Sequence, residues 1–144
     1  MPDLHETALS RLRAEGQRYT TNHRAVVEEL ERSDRPISIP ELLAVLKDLA
    51  QSSAYRTLSV LERAGVVRRL VTQDEFARYE LAEDLTEHHH HLICSRCGVI
   101  EDFTVPDSLE IELERTLRRV ASRRGFAGAS HRLDLIGTCA RCSS

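Results

Sequence analysis

The stretch Gln51-Ser-Ser-Ala-Tyr-Arg-Thr-Leu-Ser-Val-Leu-Glu-Arg-Ala-Gly65, continued by Val66-Val-Arg-Arg-Leu-Val71 and Phe76-Ala-Arg-Tyr-Glu-Leu81, decides the fold of this chain. At about 100° per residue, Ala54, Leu58 and Leu61 fall on one helix face, and Ser52, Arg56, Ser59 and Arg63 form a stripe on the other, flanked by Tyr55. The polar break Gln51-Ser52-Ser53 supplies cap residues and Gly65 a stop. The two runs that follow, separated by Thr72-Gln73-Asp74-Glu75, alternate or run apolar and predict a β-hairpin. One helix face packed inward, the other lined with donors, and a hairpin behind: this predicts the recognition helix and wing of a winged helix-turn-helix. Arg forks onto guanine, and Ser or Tyr holds phosphate. A solvated surface is the plainer reading of such a stripe; its place between a short turn and a hairpin favours DNA.

Upstream, the segment from Met1 to Arg13 is charged and helix-like, with Leu4, Ala8, Leu9 and Leu12 in a stripe that stops near Gly16. Thr20 or Thr21 caps a second helix carrying Val26, Val27 and Leu30, which runs out near Asp34-Arg35-Pro36. Ser38-Ile39-Pro40-Glu41 is a capping box with Pro in the first turn, and it opens a helix that buries Leu42, Leu43, Leu46 and Leu49. Downstream, residues 82–87 are acidic, lack a buried pattern and read as a hinge. Strands are expected at His91–Ile93 and Val99–Phe103. A helix opens at Pro106-Asp107, carries Leu109, Leu113, Leu117, Val120 and Ala121 near one face, and stops at Gly125. A last strand covers His131–Ile136. The class is therefore α+β, with a winged helix over 1–81 and a second small unit over 88–144.

A chain of 144 residues makes one modest domain or two small ones, and aromatics are only 4%. Two half-size cores are each marginal, a deficit that a structural metal or dimerisation relieves. The net charge of −3 gives no global basic signature, so any DNA binding must rest on local Arg placement. No secretory signal opens the chain and no apolar stretch spans a membrane. A soluble cytoplasmic protein with reduced cysteines is the expectation.

The only cysteines form two pairs, Cys94-Ser-Arg-Cys97 and Cys139-Ala-Arg-Cys142. A two-residue gap lets one turn present both sulfurs, and two such knuckles close a tetrahedral zinc site. Disulfides are the alternative, disfavoured in a reducing compartment. A run of four histidines, His88 to His91, precedes the first pair. Alternate strand residues face opposite ways, so His88 and His90 feed one site and His89 and His91 another. Candidate further ligands are His131, Glu110 and Glu80. Such a set suits zinc, iron(II), manganese or nickel. The plainer readings are a solvated loop for the histidines, an ordinary half-buried imidazole for His131, a helix-start carboxylate for Glu110 and a polar strand position for Glu80.

Taken together, these residues resemble the Fur family of metal-dependent bacterial repressors. The motifs are Ser53-Ala-Tyr-Arg-Thr-Leu58 with Leu61-Glu-Arg-Ala-Gly-Val66, the segment His88-His-His-His-Leu-Ile-Cys94-Ser-Arg-Cys97-Gly98, and Gly125-Phe126 with His131 and Gly137-Thr-Cys139-Ala-Arg-Cys142. The resemblance implies a homodimer whose C-terminal unit, 88–144, is the dimerisation domain, and which represses genes at palindromic operators when metal is bound. It implies structural zinc at Cys94, Cys97, Cys139 and Cys142, a second site at His88, His90, Glu110 and His131, and a regulatory hinge site to which Glu80, His89 and His91 contribute. It implies DNA contacts from Tyr55 and Arg56, and from Arg18 at the minor groove. The chain departs from the family pattern at Pro36, where a hinge-site histidine often stands, and at Arg68, where the zinc-uptake branch has an aspartate. That branch also has a cysteine before the histidines, which is missing here. The hinge site is thus expected to be partial. His23 stands where an Arg is common.

The expected function is a metal-responsive repressor of metal-uptake or homeostasis genes, with zinc or iron, and less directly manganese or nickel, as the effector. A peroxide sensor of the same family, using bound iron, is the alternative. A metallohydrolase or a zinc-ribbon interaction module without DNA binding are the more distant ones.

Overall fold

The computed structural model describes residues 3–72 and 76–144. Met1 and Pro2, at the start of the expected first helix, and Gln73, Asp74 and Glu75, in the expected hairpin turn, lie outside the described residues. The order is α1 (Leu4–Ala14), α2 (Thr21–Arg32), β1 (Ile37–Ser38), α3 (Ile39–Val45), α4 (Gln51–Arg63), β2 (Val67–Val71) and β3 (Ala77–Leu81). A 3₁₀ turn, Glu83–Leu85, lies in the linker. Then come β4 (His90–Cys94), β5 (Ile100–Phe103), α5 (Asp107–Arg123), β6 (Asp134–Gly137) and α6 (Ala140–Ser143).

Helix packing in the first half follows the apolar stripes. Leu12, Val26, Val27, Leu42, Ala54, Leu58, Leu61 and Val66 form the centre of one buried cluster. The strands β1, β3 and β2 form an antiparallel sheet in that order, so β2 and β3 are the wing. Two capping boxes set the helix starts: Ser38 with Glu41 on α3, and Thr20 with His23 on α2. The second explains the histidine that replaces a common Arg: its backbone N–H donates to Thr20 Oγ1 at 3.2 Å, while its Nδ1 accepts from the Thr20 N–H at 3.1 Å. One expectation needs correcting. The N-cap of α4 is Ala50, with no side-chain cap bond, so Ser52 and Ser53 lie inside the first turn and their hydroxyls do not cap it.

The second half is a sheet of order β5-β4-β6, antiparallel between β4 and β5 and parallel between β4 and β6. The last strand is shorter than expected, so His131 precedes it. Helix α5 contains no buried residue, and Leu109, Ile111 and Val120 on it are more than half exposed. Phe126, Leu135 and Ile136 are exposed as well. The two halves meet through the wing. Arg78 on β3 is buried and its Nη2 donates to the carbonyl of Cys97 at 3.4 Å. The linker is tied back too: Arg11 on α1 pairs with Asp84 and donates to the Gly65 carbonyl, at the end of α4, at 2.7 Å.

Candidate metal centres

Among the described residues, three groups of ligand atoms converge, each with its four atoms within 4.8 Å of one another. The first is the four cysteines. All four are free thiols. Cys94 Sγ accepts from the N–H groups of Cys139 at 3.3 Å, and of Cys97 and Arg96 at 3.4 Å. These bonds, that from Cys139 foremost, push its pKa down to about 5. Cys142, hydrogen-bonded to Cys139 and its neighbours, is pushed up to about 12. One sulfur is thus primed as a thiolate while the crowd resists further ionisation, a conflict that a bound dication resolves. Tetrahedral zinc with Zn–S of about 2.3 Å places sulfurs roughly 3.8 Å apart; Cys97 and Cys139 sulfurs lie 3.7 Å apart. The donor set and its spacing fit zinc.

The second group is His88, His90, Glu110 and His131. Three Nε2 atoms converge on the Glu110 carboxylate, at 2.8 Å from His88, 2.7 Å from His90 and 3.2 Å from His131. Two of the outward Nδ1 atoms have partners of their own: Glu83 for His88, and Glu114 for His131 at 3.2 Å. This orients those two rings with Nε2 inward, and a carboxylate on the outer nitrogen is the usual support of a metal-ligating histidine. Burial acts to raise the Glu110 carboxyl, but the hydrogen bonds and charges of His90 and His88 prevail and hold it below the ordinary range.

The third group is Glu80, His89, His91 and Asp102. Glu80 comes from wing strand β3, whereas the others come from β4, its approach, and β5. His91 Nε2 lies 2.9 Å from Glu80 Oε1, and His89 Nε2 lies 3.0 Å from Oε2. His89 Nδ1 faces the Glu87 carbonyl at 2.8 Å, and His91 Nδ1 faces Asp134 at 3.6 Å. Burial would raise the Glu80 carboxyl, yet bonds from His89, His91 and Arg68 outweigh it and hold Glu80 well below the usual carboxylate range. Asp102 behaves oppositely. Burial, then the charge of Glu80, push its pKa up, and its buried Oδ1 has no hydrogen-bond partner. A buried carboxylate oxygen without a donor is costly, and a cation among these four groups would satisfy it. The residues therefore fit a divalent ion.

Asp102 is the candidate ligand that sequence reasoning missed, and it makes a group of four where a partial set was expected. The signal was the alternation of Val99–Phe103, but only the β4–β5 register, which sets Asp102 opposite His91, turns it toward the site. Glu83, Glu114 and Asp134 were missed because their approach to His88, His131 and His91 depends on the linker turn, on α5 and on the β4–β6 register.

Away from these groups, Ser52, Arg56, Ser59 and Arg63 are all exposed along α4, and Tyr55 is 55% exposed. Ser53 is half-buried, and Arg18 is exposed ahead of α2. Ala54, Leu58 and Leu61 are buried on the opposite face.

The model of the ferric uptake regulator family matches residues 14–136. The chain belongs to the ferric uptake regulator family. Among the family's curated members, the ferric uptake regulation protein of Rhizobium leguminosarum is 32% identical over 141 residues, covering 95% of this chain and 94% of the relative. The peroxide operon regulator of Bacillus subtilis is 30% identical over 140 residues, covering 94% and 91%. Among solved family structures, the ferric uptake regulator of Helicobacter pylori, described as having three functional metal-binding sites, superposes with a TM-score of 0.74 at 30% identity, covering 99% of this chain and 95% of that one. The α+β arrangement of winged helix and second sheet is the family's. No helix among the described residues is long and apolar enough to cross a membrane.

The hinge group carries a pH prediction. Its hydrogen bond to Glu80, set against burial, raises the His89 pKa to about 9. Raised above its unfolded value, this group stabilises the metal-free fold fully below about pH 6.5 and loses that contribution as pH rises through about 9. Ligation at neutral pH must therefore expel that proton. Titration calorimetry in buffers of different ionisation enthalpy is expected to report about one proton released per ion bound at this site near pH 7. Buffer-independent heats would contradict it.

Proposed function

We propose that this chain is a metal-responsive, DNA-binding transcriptional repressor acting on metal-uptake or homeostasis genes. The observation that carries this reading is the origin of the hinge ligands: Glu80 belongs to the wing that follows α4, while His89, His91 and Asp102 belong to the second unit. An ion bound by this group would supply one thing, a set of bonds spanning the two units. Glu80, His89, His91 and Asp102 then act by holding the wing, and α4 with it, at a fixed angle to the second sheet. The effect on DNA follows if that angle is the one its operator requires.

Residues 1–81 serve in this reading as the DNA-binding domain, 82–87 as the hinge and 88–144 as the dimerisation domain. A second copy would cover the exposed apolar residues of α5, Phe126 and β6, giving a homodimer with two recognition helices. Palindromic operators follow from that two-fold symmetry. Arg56, Arg63, Ser52, Ser53, Tyr55 and Ser59 contact DNA from α4, and Arg18 from ahead of α2. The four cysteines hold structural zinc; the group around Glu110 holds a further ion. The protein acts in the cytoplasm, as a regulator rather than an enzyme.

Mobility-shift assays with an operator-like duplex test the switch. Metal-loaded protein is expected to bind at least tenfold more tightly than protein stripped of labile metal, whereas equal affinity sinks it. Arg56→Ala is expected to lose roughly 1–3 kcal/mol of binding, the worth of one forked base contact, with metal content retained. Unchanged binding would instead favour an interaction module without a DNA role. A second reading, a peroxide-sensing repressor, draws on the all-nitrogen-and-oxygen hinge set, which suits iron(II) as well as zinc. Mass spectrometry after peroxide treatment of the iron-loaded protein decides between them: an added oxygen on His89 or His91 favours the sensor.

A further inference from the structure

The hinge group contains one more charged residue, and it is a cation. Arg68 on β2 stands directly opposite Glu80 on β3. Its Nε lies 3.0 Å and its Nη2 2.5 Å from Glu80 Oε1. That same oxygen faces His91 Nε2 at 2.9 Å. The Glu80 side chain is only 8% exposed and that of Arg68 28%. A guanidinium is therefore fixed against one of the four candidate ligands, in a partly buried setting.

Two effects of such a guanidinium oppose each other. It could help by holding the Glu80 carboxylate in place. That help is small here, because β3 is paired on both sides, the side chain is already buried, and His89 and His91 also orient it. It could hinder by placing a full positive charge beside the position of a divalent cation and by engaging Glu80 Oε1 in charge-assisted bonds that compete for its electrons. A guanidinium cannot shed its proton within the physiological range, so pH does not relieve the hindrance. The hindering effect is the larger.

We propose that Arg68 sets the affinity of the hinge site: it weakens its hold on divalent cations and so raises the metal concentration to which the protein responds. The proposal rests on the reading of Glu80, His89, His91 and Asp102 as a metal site.

The test is competition for Zn²⁺ and for Mn²⁺ against a chromogenic chelator, using full-length protein with structural zinc in place. A Glu110→Ala/His131→Ala background leaves the other histidine group with only two of its four candidate ligands. Circular dichroism confirms that each variant is folded. Arg68→Gln, which keeps a donor for Glu80 but not the charge, is expected to tighten hinge-site binding at least tenfold. Arg68→Lys, which keeps the charge, is expected to stay within about threefold of the parent. The metal midpoint for duplex binding should fall in step with the affinity of the Gln variant. Unchanged or weaker binding in Arg68→Gln, or equal tightening in both variants, overturns the proposal. A His91→Ala control separates the two layers. If it binds metal as well as the parent, the site reading itself fails; if it abolishes binding while Arg68→Gln does not tighten it, only the role of Arg68 fails.

Discussion

Replacing Cys94 by serine is expected to cost the second half of the chain its folded structure. The sheet β5-β4-β6 has little else to hold it. Helix α5 buries none of its residues within one chain, and Ile100 and Cys94 are among the few apolar groups of this half that are buried. Cys94 is also the sulfur that gathers N–H donors from both knuckles. A hydroxyl there binds zinc far more weakly than a thiolate, and structural zinc contributes on the order of 10 kcal/mol to small domains that depend on it. Elemental analysis should show the loss of about one zinc per chain, gel filtration the loss of the dimer, and NMR the collapse of peak dispersion for residues 88–144. The helices around Leu12, Val27, Leu58 and Leu61 have their own core and should keep their dispersion. A variant that stays a cooperative dimer with dispersed peaks would show that zinc is not the staple.

His91→Ala is expected to abolish metal-dependent DNA binding while leaving the cysteine site loaded. His91 is 1% exposed and reaches Glu80 at 2.9 Å across the junction of the two units. An ion can shift the equilibrium between open and closed arrangements only by its difference in affinity for the two. Couplings of this kind are typically about 1–3 kcal/mol, or roughly 5–150-fold in DNA affinity. Deleting a ligand that the closed arrangement alone brings to Glu80 should reduce that ratio to about one, by the same reasoning. Fluorescence anisotropy of a labelled duplex, titrated with protein at fixed free Zn²⁺ or Mn²⁺, measures the ratio. Asp102→Ala should lower it too, and a variant at either position that keeps the full ratio would place the switch elsewhere.

Much of this architecture was legible in the sequence because it is local. The division of α4 into buried Leu58 and Leu61 and exposed Arg56 and Arg63 follows from helical period alone. The cysteine pairs follow from spacing, and the two histidine sets from strand alternation. What was not legible depends on register or on neighbours far along the chain. Asp102 reaches the hinge group only because β5 returns alongside β4 with that residue opposite His91, and no local pattern fixes that register. Arg68 looked like a missing ligand, yet its cross-strand pairing makes it the partner of Glu80. His23 looked like a lost basic contact and is a capping residue. The serines at the start of α4 looked like caps, but the helix begins one residue before them, at Gln51.

The four-histidine run has a further property. His88 and His90 serve one group of ligands and His89 and His91 another, sorted only by the pleat of a single extended segment. What matters about the run is therefore its parity. Moving the chain by two positions leaves odd and even members on their own sides, whereas a slip of one exchanges every imidazole between the two groups at once. The two centres are independent in their carboxylates but share one backbone frame, so an insertion or deletion that shifts that frame alters both at once.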